Sequence, residues 1–137
     1  MTIKLEHYRD PAFVNICTQA LEEFVLNTSG VKNVLLATVD GFSIANCQVE
    51  ERGDGLAAVG SSIFALGATL GSEFQLGECK SITVENELGR VHLLTVHEEE
   101  KQVILLIQCL QHSTLAMVLH GAQKLAAELR EALAQMG

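Results

Sequence analysis

Apolar residues recur along the chain with two different spacings, and the change from one to the other marks the predicted elements. Helical spacing first appears between Asp10-Pro11, a typical helix start, and Gly30, a typical helix stop. It returns over residues 56–74, and again after Ser113 or Thr114, either of which is a typical helix cap. The apolar positions of this last helix are Leu115, Val118, Ala122, Leu125, Leu129 and Ala132. The pattern therefore predicts three helices.

Five β-rich runs occupy the segments between these helices. Two of them, at about 32–38 and 42–48, flank Asp40-Gly41, a dipeptide that predicts a hairpin with a type I′ turn. Asp54, after the polar loop that follows, is a plausible cap for the central helix, which we expect to end near Gly77. Three further runs then follow with short polar linkers, which predicts a meander. The predicted order is α-β-β-α-β-β-β-α.

The strand sequences also indicate where each strand lies in the sheet. VLLA in the first strand and VILLI in the fifth are apolar at consecutive positions, so we expect both of their faces to be covered by helices. The third strand alternates instead, which is typical of an edge, and it carries few charges to prevent pairing with another chain. The residues of this predicted pairing edge are Ser81, Ile82, Thr83, Val84 and Glu85.

The central helix is unusual because residues 55–72 carry no charge. One stripe of it, expected to pack on the sheet, holds Leu56, Val59, Ile63, Leu66, Leu70 and Phe74. Small residues occupy the opposite side, and Gly60, Gly67 and Gly71, which lie along one flank with Phe64, cost about 2.5–3 kcal/mol relative to alanine. Close approach of another backbone would offset that cost, so we expect the small side to bind a partner, with enclosure by the chain itself as the alternative. The predicted partner-binding residues are Ala57, Ser61, Phe64, Ala65, Ala68 and Ser72.

Composition excludes several classes of function. The net charge is −8 and the nine basic residues are scattered, which argues against binding nucleic acid or an anionic membrane. The first ten residues do not resemble a signal peptide, and the central stretch is too rich in glycine and serine for a good membrane span. We therefore expect a cytoplasmic protein of one domain, residues 1–137, with four reduced cysteines.

No catalytic pattern is present in the sequence. The five histidines are dispersed, and neither a phosphate-binding G-x-x-x-x-G-K-[ST] loop nor a G-x-S-x-G elbow occurs. We therefore expect no catalytic residues, no metal site and no cofactor. The chain is predicted to be a non-enzymatic protein.

The element order, together with LATVDGFSIA, AAVGSSIFALGATLG and the meander, resembles the Roadblock/dynein light chain family over residues 12–136. The resemblance implies a five-stranded, mainly antiparallel sheet with one helix on one face and two on the other. It also implies a homodimer, or a heterodimer with a paralogue, joined through the third strand with the central helices side by side. Family members regulate or scaffold small Ras-like GTPases, and bacterial members bind the GTPase through the central helix.

The resemblance therefore implies a dimeric regulator without catalytic residues of its own, which binds a small Ras-like GTPase and modulates its nucleotide cycle. It gives no support for membrane insertion. A small-molecule-sensing domain is the first alternative, and it requires a sizeable pocket with convergent polar groups. A scaffold subunit with no GTPase partner is the second, and the residues do not separate it from the regulator.

Overall fold

The computed structural model describes residues 5–47 and 53–136. These residues form five strands and four helices. The strands and three of the helices follow the predicted order, and a short fourth helix precedes them. The elements are α1 (Leu5–Tyr8), α2 (Pro11–Asn27), β1 (Val31–Thr38), β2 (Ser43–Cys47), α3 (Gly53–Glu73), β3 (Ser81–Asn86), β4 (Gly89–Glu98), β5 (Lys101–Leu110) and α4 (Leu115–Gln135). The predicted end of the second strand at residue 48 lies outside the described residues.

Two side chains cap helices as the sequence predicts. Asp10 accepts a hydrogen bond from the Phe13 amide at 3.2 Å, and Thr114 accepts one from the Met117 amide at 3.3 Å. These bonds satisfy amides that have no partner within the first turn of a helix. Asp54 is not a cap, because α3 already begins at Gly53 and places Asp54 in its first turn.

The hairpin between β1 and β2 differs from the predicted type I′ turn. Gly41 has a φ of 95°, whereas Asp40 is not among the described residues with positive φ. The Gly41 amide donates to the Thr38 carbonyl at 3.1 Å, and the Thr38 amide donates to the Phe42 carbonyl at 2.8 Å. The loop therefore has three residues and needs the left-handed conformation only at glycine.

The sheet has the strand order β2-β1-β5-β4-β3, and every neighbouring pair is antiparallel. β5 lies in the middle with β1 beside it, while β3 is an edge, so the predicted strand positions are confirmed. The β1–β5 register places Leu35 opposite Leu106 and Leu36 opposite Leu105. The two leucines of each strand point to opposite faces, which explains why both strands are apolar throughout.

Helices α2 and α4 cover one face of the sheet and α3 covers the other, so the predicted fold class is confirmed. The main core lies under α2 and α4, where Leu21, Leu36, Leu105 and Leu125 are buried. All four cysteines are free thiols, and burial raises the pKa of Cys17 to about 12, so that thiol is inert. The face under α3 has a much smaller core.

Candidate association surface

Helix α3 packs on the sheet through the flank that carries Gly60, Gly67 and Gly71, and not through the predicted stripe. Gly60 and Gly71 of this flank are buried together with Ala57 and Phe64, whereas the outer small residues of the helix are exposed. The aliphatic stripe faces outward, with Leu66 68% and Phe74 69% exposed. The prediction that the stripe packs on the sheet is therefore wrong. The stripe residues are Leu56, Val59, Leu66, Leu70 and Phe74, which are exposed, and Ile63, which is half-buried.

Size complementarity explains this orientation. A Cβ atom added at Gly60 would lie 2.7 Å from Cδ2 of Leu106, and one added at Gly67 would lie 2.7 Å from Cδ1 of Ile82. Leu106 and Ile82 fill the space under the helix at these two positions, so the helix can approach the strands closely only with glycine there. The helix-propensity cost of these glycines is offset by packing within the chain.

The predicted partner-binding residues consequently separate into two groups. Ala57 and Phe64 lie between α3 and the sheet, which corrects their assignment to a partner-binding surface. Ser61 is half-buried and its hydroxyl donates to the Val39 carbonyl at 2.5 Å. Ala65, Ala68 and Ser72 are exposed, and their contact with a partner stays a prediction.

Strand β3 leaves one side of its backbone open. Within the described part of the chain its strand neighbour is β4, with Thr83 opposite His92 and Glu85 opposite Arg90. Ser81, Thr83 and Glu85 are exposed, while the alternate residues Ile82 and Val84 are half-buried. The predicted edge position is confirmed, and its pairing with another chain stays a prediction.

Side chains on the α2/α4 face of β3 tie this edge to the rest of the fold. The guanidinium of Arg90 binds both carboxylate oxygens of Glu85, at 3.1 and 3.2 Å, and donates to the Ser113 carbonyl at 2.9 Å. The hydrogen bond from Arg90 lowers the pKa of Glu85. Thr83 Oγ1 lies 2.9 Å from His92 Nδ1. The edge strand is thus held by polar contacts in addition to its backbone ladder.

Helix α3 lies beside the edge strand, because Gly67 lies against Ile82 of β3, and by helical spacing Gly67 adjoins Ile63 and Leu70 of the stripe. Helix α3 is also long and apolar enough to span a membrane by composition, with a mean hydropathy of 1.4 over its most apolar window. Only 22% of that window is buried in the fold. The helix therefore combines a close fit to the sheet with a large exposed apolar face.

A cleft of about 290 Å³ lies between α3 and the sheet. Its polar lining includes Glu78, Cys79, His97 and Gln102, and its apolar lining includes Phe64. The Glu78 carboxylate lies 4.0 Å from the His97 imidazole. Over residues 5–47 and 53–136, no group of three or more His, Cys, Asp or Glu side chains is placed to hold a metal ion.

An open strand edge next to an uncovered apolar helix face is typical of domains that associate with other protein chains. Within that class, the family model of the Roadblock/LC7 domain matches residues 18–109, and the chain belongs to this family. The family resemblance noted from the sequence is confirmed. No curated protein sequence matches the chain significantly.

Similar solved structures share this fold along nearly their whole length. The Roadblock/LC7 domain from Streptomyces avermitilis has 18% identity and a TM-score of 0.80, with 86% of this chain and 98% of that one covered. An MglB structure with a tetrameric arrangement has 17% identity and a TM-score of 0.80, covering 93% and 95%. The gliding protein MglB from Thermus thermophilus has 16% identity and a TM-score of 0.77, covering 92% and 94%.

Proposed function

We propose that this chain is a dimeric, non-catalytic regulator or scaffold that binds a small Ras-like GTPase in the cytoplasm. Two copies associate through strand β3 and the exposed stripe of α3, and the GTPase binds the α3 side of the pair. The observation that carries the proposal is that α3, which bears the exposed stripe, lies directly beside the open edge, with Gly67 next to Ile82.

A second copy is the occupant that satisfies both parts of this surface. Antiparallel pairing of β3 with its symmetry mate supplies hydrogen-bond partners to the open backbone, and the same two-fold axis brings the two α3 stripes together. A membrane would cover the stripe but leave the strand edge unpaired. The tetrameric arrangement named for one MglB structure supports association between copies of this fold. A paralogue with a similar surface is the alternative partner.

The GTPase part of the proposal rests on family membership and on exposed α3 positions outside the stripe. Ala65, Ala68 and Ser72 are exposed and short, so a partner's backbone can approach the helix closely there. The regulator shifts the GTPase between conformations only as far as it binds one nucleotide state better than the other. Catalytic residues of its own are not needed for that effect.

The test is binding to the small Ras-like GTPases of the host, each loaded with GDP or with a non-hydrolysable GTP analogue. Ala68→Arg places a long charged side chain in the proposed contact, so we expect it to abolish binding while the dimer persists. Ala127→Arg makes the same change at an exposed position of α4 and is the matched control. Equal binding by both variants contradicts the proposed contact, and absence of binding to any GTPase favours the scaffold alternative.

The cleft beneath α3 is a specific observation for the small-molecule alternative. Its volume of about 290 Å³ is at the lower limit for a ligand pocket, and the polar side chains of Glu78, His97 and Gln102 line it. Thermal unfolding across a metabolite panel separates the two functions. A shift that disappears in His97→Ala and Gln102→Ala favours sensing, whereas no shift favours the regulator.

A further inference from the structure

His92 is a buried imidazole whose hydrogen bonding is incomplete. It lies on β4 with 2% of its surface exposed. Its Nδ1 atom is 2.9 Å from Thr83 Oγ1 on the edge strand, and its Nε2 atom is buried without a hydrogen-bond partner among the described residues. A neutral imidazole tolerates this arrangement better than a charged one, because only the charged ring must donate from both nitrogens.

The charged groups around His92 do not compensate a positive charge on the ring. Arg90, two residues earlier on β4, adds a positive charge, while Glu85 on β3 is engaged by that same guanidinium. The opposing residue on β5 is Ile107, and α4 turns uncharged residues such as Val118 toward the sheet. Burial lowers the pKa of His92, the charge of Arg90 lowers it further, and Glu85 acts in the opposite direction.

We propose that His92 is a pH-sensitive lock on the edge strand: the neutral ring holds β3 through Thr83, and protonation releases β3 and weakens the pairing of two copies. The dimer part of this inference rests on the proposed function. A protonated ring would bury an Nε2–H donor without an acceptor and place a second positive charge beside Arg90. Opening of the edge exposes the ring to water, which accepts the Nε2–H hydrogen bond and screens the charge of the ring from that of Arg90.

The direction of the pH effect follows from the lowered pKa. An unfolded or opened chain takes up a proton at His92 near pH ~6.5, whereas the locked edge resists it to lower pH. The stabilisation is therefore complete above about pH 6.5 and is lost as the pH falls through the lowered pKa of the folded protein. One proton per chain changes the opening equilibrium by at most about tenfold per pH unit.

The experiment compares the full chain with His92→Gln, which cannot titrate, and with His120→Gln, an exposed histidine on α4, as the matched control. Sedimentation equilibrium gives the dimer dissociation constant between about pH 7.5 and 5.5. We expect it to rise by up to about tenfold for each chain of the dimer in the parent chain and in His120→Gln, and by less than about threefold in His92→Gln. The same pH dependence of the dissociation constant in all three proteins contradicts the proposed role of His92.

Two further measurements keep failure of the lock distinct from failure of the dimer. If the chain is monomeric at every pH, the proposed self-association fails, and the lock is judged from denaturant unfolding of the same three proteins. A smaller pH dependence in His92→Gln supports it there, and equal dependence overturns it. If His92→Gln does not fold, NMR titration of the parent chain decides: β3 amide signals that change together with the His92 ring support the lock, and β3 signals that stay unchanged while the ring titrates overturn it.

Discussion

Replacing Leu66 by serine removes one large side chain from the centre of the proposed dimer contact. Full burial of a leucine contributes about 1.5–3 kcal/mol. Leu66 is 68% exposed in the single chain, so covering it in a dimer yields roughly two thirds of that, about 1–2 kcal/mol per copy. A two-fold contact loses this contribution twice. We therefore expect the dissociation constant of Leu66→Ser to rise by about 30- to 700-fold.

The assay is sedimentation equilibrium of the parent chain, Leu66→Ser and Leu26→Ser. Leu26 is the matched control because it is even more exposed but lies on α2, across the sheet from α3. Each change removes an exposed side chain from the single chain, so the free energy of unfolding of the monomer should move by less than about 0.5 kcal/mol in both. Equal dissociation constants for Leu66→Ser and the parent chain, with both proteins folded, would refute the reasoning.

Two other predictions concern the stability of the fold. Gly60→Ala should destabilise the fold by about 1–3 kcal/mol, because the added Cβ meets Leu106. Gly55→Ala on the same helix has open space and should stabilise the fold by about 0.5–1 kcal/mol. Urea unfolding of both variants measures the difference, and equal effects would argue against the close packing of α3. Lys101→Met should lower the free energy of unfolding by about 1–2 kcal/mol, because the Lys101 ammonium donates to two carbonyls at the end of α4 at 2.8 Å. Lys124→Met breaks only an exposed ion pair and should lower it by less than about 1 kcal/mol. Thermal unfolding compares the two variants, and a larger loss of stability in Lys124→Met would contradict the prediction.

Periodicity predicted most of the architecture because the apolar spacing differs clearly between the elements. The consecutive apolar residues of β1 and β5 correctly indicated inner strands, and the alternation around Ile82 and Val84 indicated an edge. The short helix α1 was not predicted. It has only four residues, too few for a helical repeat to be recognised.

The orientation of α3 could not be predicted from hydrophobicity, because both of its sides are uncharged. The stripe around Leu66 is more apolar than the side around Ala57, yet Ala57 is the residue that is buried. Steric fit decides the orientation: Leu106 and Ile82 already fill the space above the strands, so the helix presents glycine at positions 60 and 67. The spacing of Gly60 and Gly67 was the available signal, since glycines repeated along one side of a helix indicate close approach of another part of the protein.

The proposed role of His92 could not be predicted from the sequence either. The apolar pattern of β4 gave no information on the burial of His92 or on its hydrogen-bond partners. Those depend on the register that places Thr83 opposite His92, which is fixed only once β3 and β4 pair.

The most direct measurement of the central claim is amide hydrogen exchange of the native chain at protein concentrations above and below its dissociation constant. If two copies cover the outer side of α3 and the edge of β3, protection in peptides from Gly53–Glu73 and Ser81–Asn86 falls on dilution, while protection in β5 stays constant. Protection of α3 and β3 that does not change with concentration, in a chain that sedimentation shows to associate, would contradict the claim, as would a change confined to α2 and α4.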